Sequence, residues 1–524
     1  MIVLIVKKRK HAGIYMKQDQ QKKDKAKQIK TVSDNNPDNA DTTGRKTRKN
    51  KKALIITIIT LSSLMFLAAL IITGLFIYSG YLKNPQPVEL TAEQQALLTE
   101  RTSSIYTKSI LNPLPYDTIP AELSINAKSA ILIDAANGCI LYEKNADEPI
   151  PPASMTKLAV MFVVEQEINT GRISYSDIVP LPPESWAINQ PPDSSLMFLA
   201  EGQKVTLHEL LEGLAVCSGN DAAYAVAAYV SGSVDSFVER MNSEMEKLGL
   251  SSTHFTEPSG YSEKNITTAR DFAAFSRVYI QRYPESLKKY HSLESFSYPQ
   301  PWNLPDGFSS LSKPASVRRF YPDKPIKQNN TNKTLGLIPG ADGLKTGFID
   351  ESGYNLAYTV KRGDTRFISV TLMGPGHGSW EGNKYRVEDA ETFTDFAFNT
   401  FTTVRPSAVE DIPIIAAGGD QNSLFLTQLA PEPISVPHIG EFNLPSDGES
   451  GPIYLSKTIS APAYLDAPIK AGEQYGTVTY SLGNTILANV PLVADRDVNE
   501  SSSLKSFIDH ICLESTTPTQ PSGN

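Results

Sequence analysis

The sequence predicts an α/β (α+β) protein: a sheet flanked by helices, preceded by a transmembrane helix and followed by a small all-β domain. Three observations lead there. Ala53–Tyr78 is a run of twenty-six residues without a charge. Between Lys128 and Phe401, short β-type runs alternate with apolar and amphipathic helical runs. After about Pro406 helix signals fade, and short alternating runs are separated by regular glycine turns. The 524 residues suffice for two or three domains with a sizeable core.

The chain begins with a basic head. Residues 1–52 carry sixteen Lys/Arg against five Asp/Glu, while the remainder carries thirty-three against fifty-two. The head is polar, low in aromatics and clustered in Asn/Asp/Pro around Asp34–Asp41, and reads as a disordered cytoplasmic tail. As a helix, residues 53–78 would reach about 39 Å, against a hydrocarbon core of about 30 Å. Arg45, Lys46, Arg48, Lys49, Lys51 and Lys52 precede the run, and Lys83 alone follows closely. The positive-inside rule therefore puts the N-terminus in the cytoplasm and the rest of the chain outside. The head is a topology signal rather than a nucleic-acid arm. The run is too long for an ordinary signal-peptide core, so a retained single-pass membrane anchor is expected.

Residues 79–120 are proline-punctuated and read as a juxtamembrane linker, with a short helix near Thr91–Arg101. Ala130–Asp134 and Cys139–Tyr142 flank Asn137-Gly138, a hairpin signal. Pro151-Pro152 ends an extended segment, and Leu158–Val164 then reads as a helix buried on most sides. Thr206–Leu214 reads as a helix with Thr206 and Glu209 as a capping box, and a second helix follows over Asp221–Val230. Residues 233–283 read as helix, loop, helix, and Pro284–Asn332 as irregular. Lys345-Thr346-Gly347 falls on the first of three strands, the others being Tyr354–Val360 and Arg366–Leu372, and Arg386–Phe401 closes the domain as an amphipathic helix. The main domain is thus 121–403, the β domain 406–498, and 499–524 a loose tail with a short apolar patch at Phe507–Leu513.

The chemistry gathers at Ser154-x-x-Lys157. A hydroxyl and an amine three residues apart share one face at the start of a buried helix. The amine can take the hydroxyl's proton if burial keeps it neutral, and the N–H groups of the helix start favour developing negative charge. The spacing alone is common, recurring at Ser286/Lys289, Ser310/Lys313 and Ser502/Lys505. Two further motifs distinguish the first: Ser218-Gly219-Asn220 on a tight interhelical turn, sixty-four residues on, and Lys345-Thr346-Gly347 another one hundred and twenty-seven on. Cys139, Cys217 and Cys512 form neither a disulfide framework nor a zinc spacing, and the seven histidines offer no metal pair.

This ordered triple is the motif set of penicillin-binding proteins and class A β-lactamases. The chain resembles the low-molecular-mass penicillin-binding proteins, the serine-type D-alanyl-D-alanine carboxypeptidases. Supporting stretches are Pro152–Lys157, Cys217–Ala223, Thr267–Asp271 and Gly343–Gly347, with Ala467–Gly476 and Val490–Ala494 resembling that family's C-terminal domain. The resemblance implies a transpeptidase-type domain with an antiparallel sheet flanked by helices, and removal of the terminal D-Ala from peptidoglycan stem peptides ending in D-Ala–D-Ala. Ser154 would be the nucleophile and Lys157 its base, its pKa lowered by burial and by Lys345. Ser218 would relay a proton to the leaving amine, and Asn220 would orient Lys157 and the substrate amide. Lys345 and Thr346 would bind the terminal carboxylate, Gly347 would let substrate backbone lie along the strand, and the N–H groups of Ser154 and Phe348 would form the oxyanion hole. No metal or organic cofactor is expected, and β-lactams should acylate Ser154 as inhibitors.

Some features depart from the family pattern. Pro284–Asn332 looks like an insertion, Glu257 stands where asparagine is expected, and the anchor is N-terminal rather than a C-terminal amphipathic helix. Arg386 reads as a helix-surface ion-pair residue in preference to a carboxylate ligand. The alternatives are a β-lactamase or muropeptide endopeptidase on the same scaffold, or a catalytically weak envelope scaffold protein.

Overall fold

The computed structural model describes residues 43–82, 89–105, 109–118, 120–430, 432–437 and 455–514. Residues 1–42, with the Asp34–Asp41 cluster, lie outside the described residues, as do 438–454 of the β domain and 515–524 of the tail. The fold divides into two units, one ending at Phe76 and the other starting at Ile77.

The first unit is dominated by helix α1 (Thr43–Leu82). It begins inside the head expected to be disordered, because Lys and Arg propagate a helix well once an apolar segment nucleates it. Lys51–Leu82 is long and apolar enough to cross a membrane, the one such helix among the described residues. Leu64, Met65, Phe66 and Phe76 stand exposed along it. So much contiguous apolar surface suits hydrocarbon rather than water.

The second unit opens with α2 (Ala92–Ile105). The expected linker is not a bare spacer. Leu98, Leu114 and Tyr116 join the core of the β domain, and Arg101 pairs with Asp497 at 2.7 Å. Strands β1 (Ser129–Asp134) and β2 (Ile140–Lys144) form the expected hairpin. A tight turn over Ala153–Thr156 then leads into α3 (Lys157–Asn169), whose residues Leu158–Val164 are fully buried. Burial of each large apolar side chain there contributes roughly 1.5–3 kcal/mol, so the helix carrying the motif lies in the most strongly held part of the domain. Helices α4 (Leu207–Ala215), α5 (Asn220–Ser231), α6 (Val234–Lys247) and α7 (Ala269–Arg282) pack around it. The Thr206–Glu209 capping box forms as expected, with both reciprocal bonds present.

After a single turn, α8 (Pro284–Ser286), the segment expected to be irregular contains an antiparallel pair, β3 (Ser295–Tyr298) and β4 (Ile326–Asn329). Strands β5 (Ala341–Ile349), β6 (Gly353–Arg362) and β7 (Thr365–Gly374) then complete a five-stranded antiparallel sheet in the order β2-β1-β7-β6-β5. Both faces are covered. Ile131, Ile133, Ile368, Val370 and Leu372 point into the core of α3–α7, while Ala130, Leu132, Leu356, Tyr358 and Phe367 meet Phe393 and Ala397 of α9 (Ser379–Thr400). This two-residue alternation sends successive side chains to opposite buried faces, which is why β1 reads as a continuous apolar run. Strand β5 lies at the sheet edge, and its Lys-Thr-Gly segment is buried beside the Ser154 turn.

The β domain follows. Strand β8 (Phe401–Val404) pairs with β11 (Ile434–Pro437). Strands β9 (Ile412–Ala417), β10 (Ser423–Gln428), β12 (Leu455–Ser460), β13 (Tyr464–Asp466), β14 (Gln474–Leu482) and β15 (Thr485–Ala494) form one sheet in the order β12-β14-β15-β10-β9-β13. Asp134, at the end of β1, accepts hydrogen bonds from Thr403 and Ser435 and so ties this region to the main sheet. The tail is not loose throughout: Ser503–Glu514 form α10, which starts on the Ser502 cap and meets Tyr78 and Ser79 of the same unit through Asp509 and the Cys512 carbonyl.

Candidate active site

Ser154 sits on the turn that leads into α3, half-buried at the floor of a cleft of about 630 Å³. Ser218, Thr346, Gly347, Phe348 and Arg386 line the same cleft. A second cleft of similar size, about 640 Å³, between Tyr116, Tyr142 and Phe401, brings together no hydroxyl–amine pair.

Lys157 is 0 % exposed. Its Nζ lies 2.9 Å from Ser154 Oγ, 2.8 Å from Asn220 Oδ1 and 2.5 Å from the Ser259 carbonyl. Two of these three partners can only accept. A neutral amine has two N–H groups and one lone pair, so Asn220 and Ser259 take both protons and the lone pair is left facing the Ser154 hydroxyl. Burial lowers the Lys157 pKa to about 8, against the upward pull of Glu257, Asp221 and Cys217. A general base in that range is usefully neutral near physiological pH.

The Ser-Gly-Asn turn is held from below. Ser218 adopts a left-handed backbone, φ 62°, an unusual conformation for a residue with a side chain. Asp221, fully buried, accepts from the N–H groups of Met197, Phe198 and Leu199 and pins the facing loop. Burial pushes its carboxyl up to about 6, with those N–H bonds opposing. Asn220 N donates to the Ser195 carbonyl, closing the turn against the same loop.

Lys345 reaches from β5 to Ser218, with Nζ 2.9 Å from Ser218 Oγ, and is 1 % exposed. Burial, then the charges of Lys157 and Arg386, push its pKa well below the usual lysine range. The repulsion between the two lysines therefore weighs on Lys345, whereas Lys157 is lowered by burial. Thr346 Oγ1 lies 2.7 Å from Thr331 Oγ1, and Asn329, Thr331 and Lys333 line the cleft. The supposed insertion is thus one wall of the site. Behind β5, buried His291 accepts from or donates to Tyr279 at one nitrogen and meets the Leu344 carbonyl at 3.1 Å with the other.

Gly347 has a structural use beside the one expected. A Cβ there would lie 2.3 Å from the Pro152 carbonyl oxygen and 3.1 Å from the Ala153 Cβ. Its missing side chain makes room for the turn that carries Ser154, bringing nucleophile and strand together. Phe348 is half-exposed and stacks on Tyr354 with ring centroids 4.4 Å apart.

Arg386 is not a helix-surface ion-pair residue. It is 7 % exposed, donates to the Gly347 carbonyl and to Asn383 Oδ1, and lies over the Tyr354 ring. Its Nε is buried without a partner. Among the described residues, no ion pair joins Lys157, Lys345 or Arg386 to a carboxylate. The sequence reading passed over Asp221 and the Ser259 carbonyl, and weighed Arg386 as a carboxylate ligand but preferred a surface ion pair. A backbone acceptor leaves no mark in sequence, and Arg386 reaches the site only because α9 crosses the sheet. The other Ser-x-x-Lys pairs have ordinary roles: Ser286 donates to Glu165, Ser310 to Asp323, and Ser502 caps α10.

Comparison with known proteins agrees with this geometry. Residues 117–376 match the family described as D-alanyl-D-alanine carboxypeptidase, and 448–500 match the C-terminal domain of penicillin-binding protein 5. The D-alanyl-D-alanine carboxypeptidase DacF of Bacillus subtilis is 31% identical over 386 residues, which cover 73% of this chain and 88% of the relative. The chain belongs to the D-alanyl-D-alanine carboxypeptidase family. Another carboxypeptidase of that family, DacC of Escherichia coli, is 30% identical over 397 residues, 75% of this chain and 89% of the relative. Penicillin-binding protein 5 of Haemophilus influenzae superposes with a TM-score of 0.59 at 29% identity, covering 73% of this chain and all of that one. The carboxypeptidase-family fold, including the small β domain, is therefore the fold of this chain.

Proposed function

We propose that this protein is a membrane-anchored serine D-Ala–D-Ala carboxypeptidase that removes the terminal D-Ala from peptidoglycan stem peptides outside the cytoplasmic membrane. One observation carries the reading: Lys157 Nζ lies within hydrogen-bond distance of two carbonyl acceptors and of Ser154 Oγ, so the neutral amine turns its lone pair to Ser154, while two further buried basic groups, Lys345 and Arg386, form no ion pair with a carboxylate among the described residues. The first half is an activated nucleophile. The second is a receptor for an anion at the end of a chain, which distinguishes an exopeptidase.

Ser154 Oγ attacks the carbonyl carbon of the penultimate D-Ala as its proton passes to Lys157 Nζ. The resulting oxyanion is held by the Ser154 and Phe348 N–H groups. The C–N bond then breaks, and Ser218, bonded to Lys345, relays to the departing amine the proton that Lys157 took up, which restores the neutral lysine. Asn220 fixes Lys157 and meets the substrate amide. Lys345, Thr346 and Arg386 bind the terminal carboxylate, and Arg386 supplies the planar donor fork that suits it. Water hydrolyses the acyl ester. A β-lactam follows the same first step and remains bound to Ser154; penicillin-binding proteins among the relatives favour this expectation. The basic stretch in the first turns of α1, just ahead of its apolar run, supports a cytoplasmic N-terminus and a single pass, with the domains 121–403 and 406–498 outside.

The test uses the full chain in detergent, with and without Ser154→Ala. Each is incubated with a diacyl-Lys-D-Ala-D-Ala peptide, free D-Ala is measured, and the assay is repeated after a penicillin pulse. Release of one D-Ala per peptide, abolished by Ser154→Ala and by penicillin, is expected. Penicillin labelling without D-Ala release would refute the carboxypeptidase reading in favour of an endopeptidase. Rapid penicillin turnover would favour a β-lactamase.

A further inference from the structure

The Ser259 carbonyl takes one of the two Lys157 protons, and that carbonyl belongs to a turn held by one side chain. Glu257 Oε2 accepts from Ser259 N at 2.7 Å and from Ser259 Oγ at 2.6 Å. Its Oε1 accepts from Ser262 N at 3.3 Å and from Asn265 Nδ2 at 3.2 Å. Asn265 in turn reaches Thr156 Oγ1, on the turn that bears Ser154, at 3.2 Å. Gly260, between these contacts, has φ 78°, and a Cβ there would lie 1.9 Å from the Ala153 carbonyl oxygen. The turn is therefore pressed onto the nucleophile's own backbone, and its internal order comes from the Glu257 carboxylate.

We propose that Glu257 is a positioning residue for the reaction: its carboxylate folds residues 257–262 so that the Ser259 carbonyl accepts from Lys157, and it acts on catalysis through that lysine. The reason is geometric. Without a carbonyl at this place, one Lys157 N–H turns toward the nearest remaining acceptor, Ser154 Oγ. The lone pair is then lost from the hydroxyl it must deprotonate. These four bonds tie the carboxylate to its own turn and the adjoining Asn265, and Tyr224 of α5 bonds to it as well, so Glu257 is engaged as a brace.

Charge gives a second signature. The titratable groups facing Lys157 are Glu257, Asp221, Cys217 and Lys345, and Tyr224 faces Glu257 from α5. Glu257 favours the protonated lysine, so its neutralisation should shift the basic catalyst's titration toward acid.

This inference rests on the acyl-enzyme chemistry proposed above, and its experiment separates the two. Wild type, Glu257→Ala and Glu257→Gln, as full chains, are compared by thermal melting, by the second-order rate of Ser154 labelling with a fluorescent penicillin between pH 5.5 and 10, and by the lifetime of the label. Glu257→Ala should label at least tenfold more slowly at every pH. Glu257→Gln keeps an acceptor for Ser259, so it should recover part of that loss, with its rising limb moved down by roughly 0.5–1 pH unit. The label's lifetime should not change in either. If both variants melt lower yet label as fast as wild type with the same pH limb, the role is structural and the proposal fails. It also fails if labelling is unaffected while the acyl-enzyme lives longer, because the carboxylate would then serve water attack. Labelling of wild type without D-Ala release refutes the peptide substrate and leaves this comparison readable. An unlabelled, folded wild type refutes both.

Discussion

Gly347→Ala isolates the contact on which the site depends. The glycine's φ lies outside the left-handed region, so alanine brings no backbone objection of its own. The obstacle is the new Cβ, 2.3 Å from the Pro152 carbonyl oxygen and 3.2 Å from Met155 N. Both neighbours are backbone and cannot rotate away. Restoring an ordinary carbon–oxygen contact of about 3.4 Å moves strand and turn apart by roughly 1 Å. Overpacking of this kind costs about 1–3 kcal/mol, or roughly 2–10 °C in melting midpoint for a domain of this size. The cost to catalysis is larger. The separation opens between Ser154 and the strand carrying Lys345, Thr346 and Phe348, and a 1 Å misplacement can reduce rate about a hundredfold. The rate of penicillin acylation, measured by quenched flow, should therefore fall by about two orders of magnitude in a protein that remains folded by circular dichroism. Acylation within threefold of wild type, with an unchanged melting midpoint, would show that β5 does not bear on the Ser154 turn and would refute the reasoning.

Other outcomes follow from the same structure. Lys157 must be neutral to act as base and its pKa is lowered to about 8, so the acylation rate should rise with pH through a midpoint near 8 and then level off; a pH series of labelling rates checks this. Arg386→Met should reduce kcat/KM roughly ten- to hundredfold for a peptide ending in a free carboxylate, since a charge-assisted bond contributes about 1.5–3 kcal/mol. Comparing the free-acid peptide with its C-terminal amide should show the variant losing its discrimination. Thr206→Ala removes the capping box of α4 and should cost about 1 kcal/mol, visible as a lower melting midpoint with unaltered KM.

Much of this was legible in the chain. Thr206 and Glu209 announced their helix because capping is a local bond between neighbours in sequence. The 128–144 hairpin and the three strands from 341 to 374 were legible because alternation and turn residues report sheet structure directly. The six motif residues were recognisable from their types and order. What escaped reading depends on long-range contact. Pro284–Asn332 looked irregular because β3 and β4 are four residues each and lie twenty-seven residues apart, yet they place Thr331 against Thr346. Arg386 looked like a surface residue because an amphipathic helix packed on one face offers no sign that its arginine passes over Tyr354 to a strand carbonyl. Gly347 was read toward the substrate, whereas the close neighbour is the protein's own turn. Ser503–Glu514 read as tail because its apolar residues are few, and the bonds to Tyr78 and Ser79 that accompany the helix come from the far end of the sequence.

The cluster of Lys157, Lys345 and Arg386 has a practical meaning for anyone handling this enzyme. Three buried basic groups, none ion-paired with a carboxylate among the described residues, make each positive charge costly to hold in the resting site. Small anions common in laboratory solutions, such as acetate, sulfate or phosphate, should raise the melting temperature and at the same time compete with the peptide. Purification conditions that yield the most robust preparation are then the ones under which its turnover is most underestimated, and a chloride-based, low-salt medium is the fairer setting for kinetics.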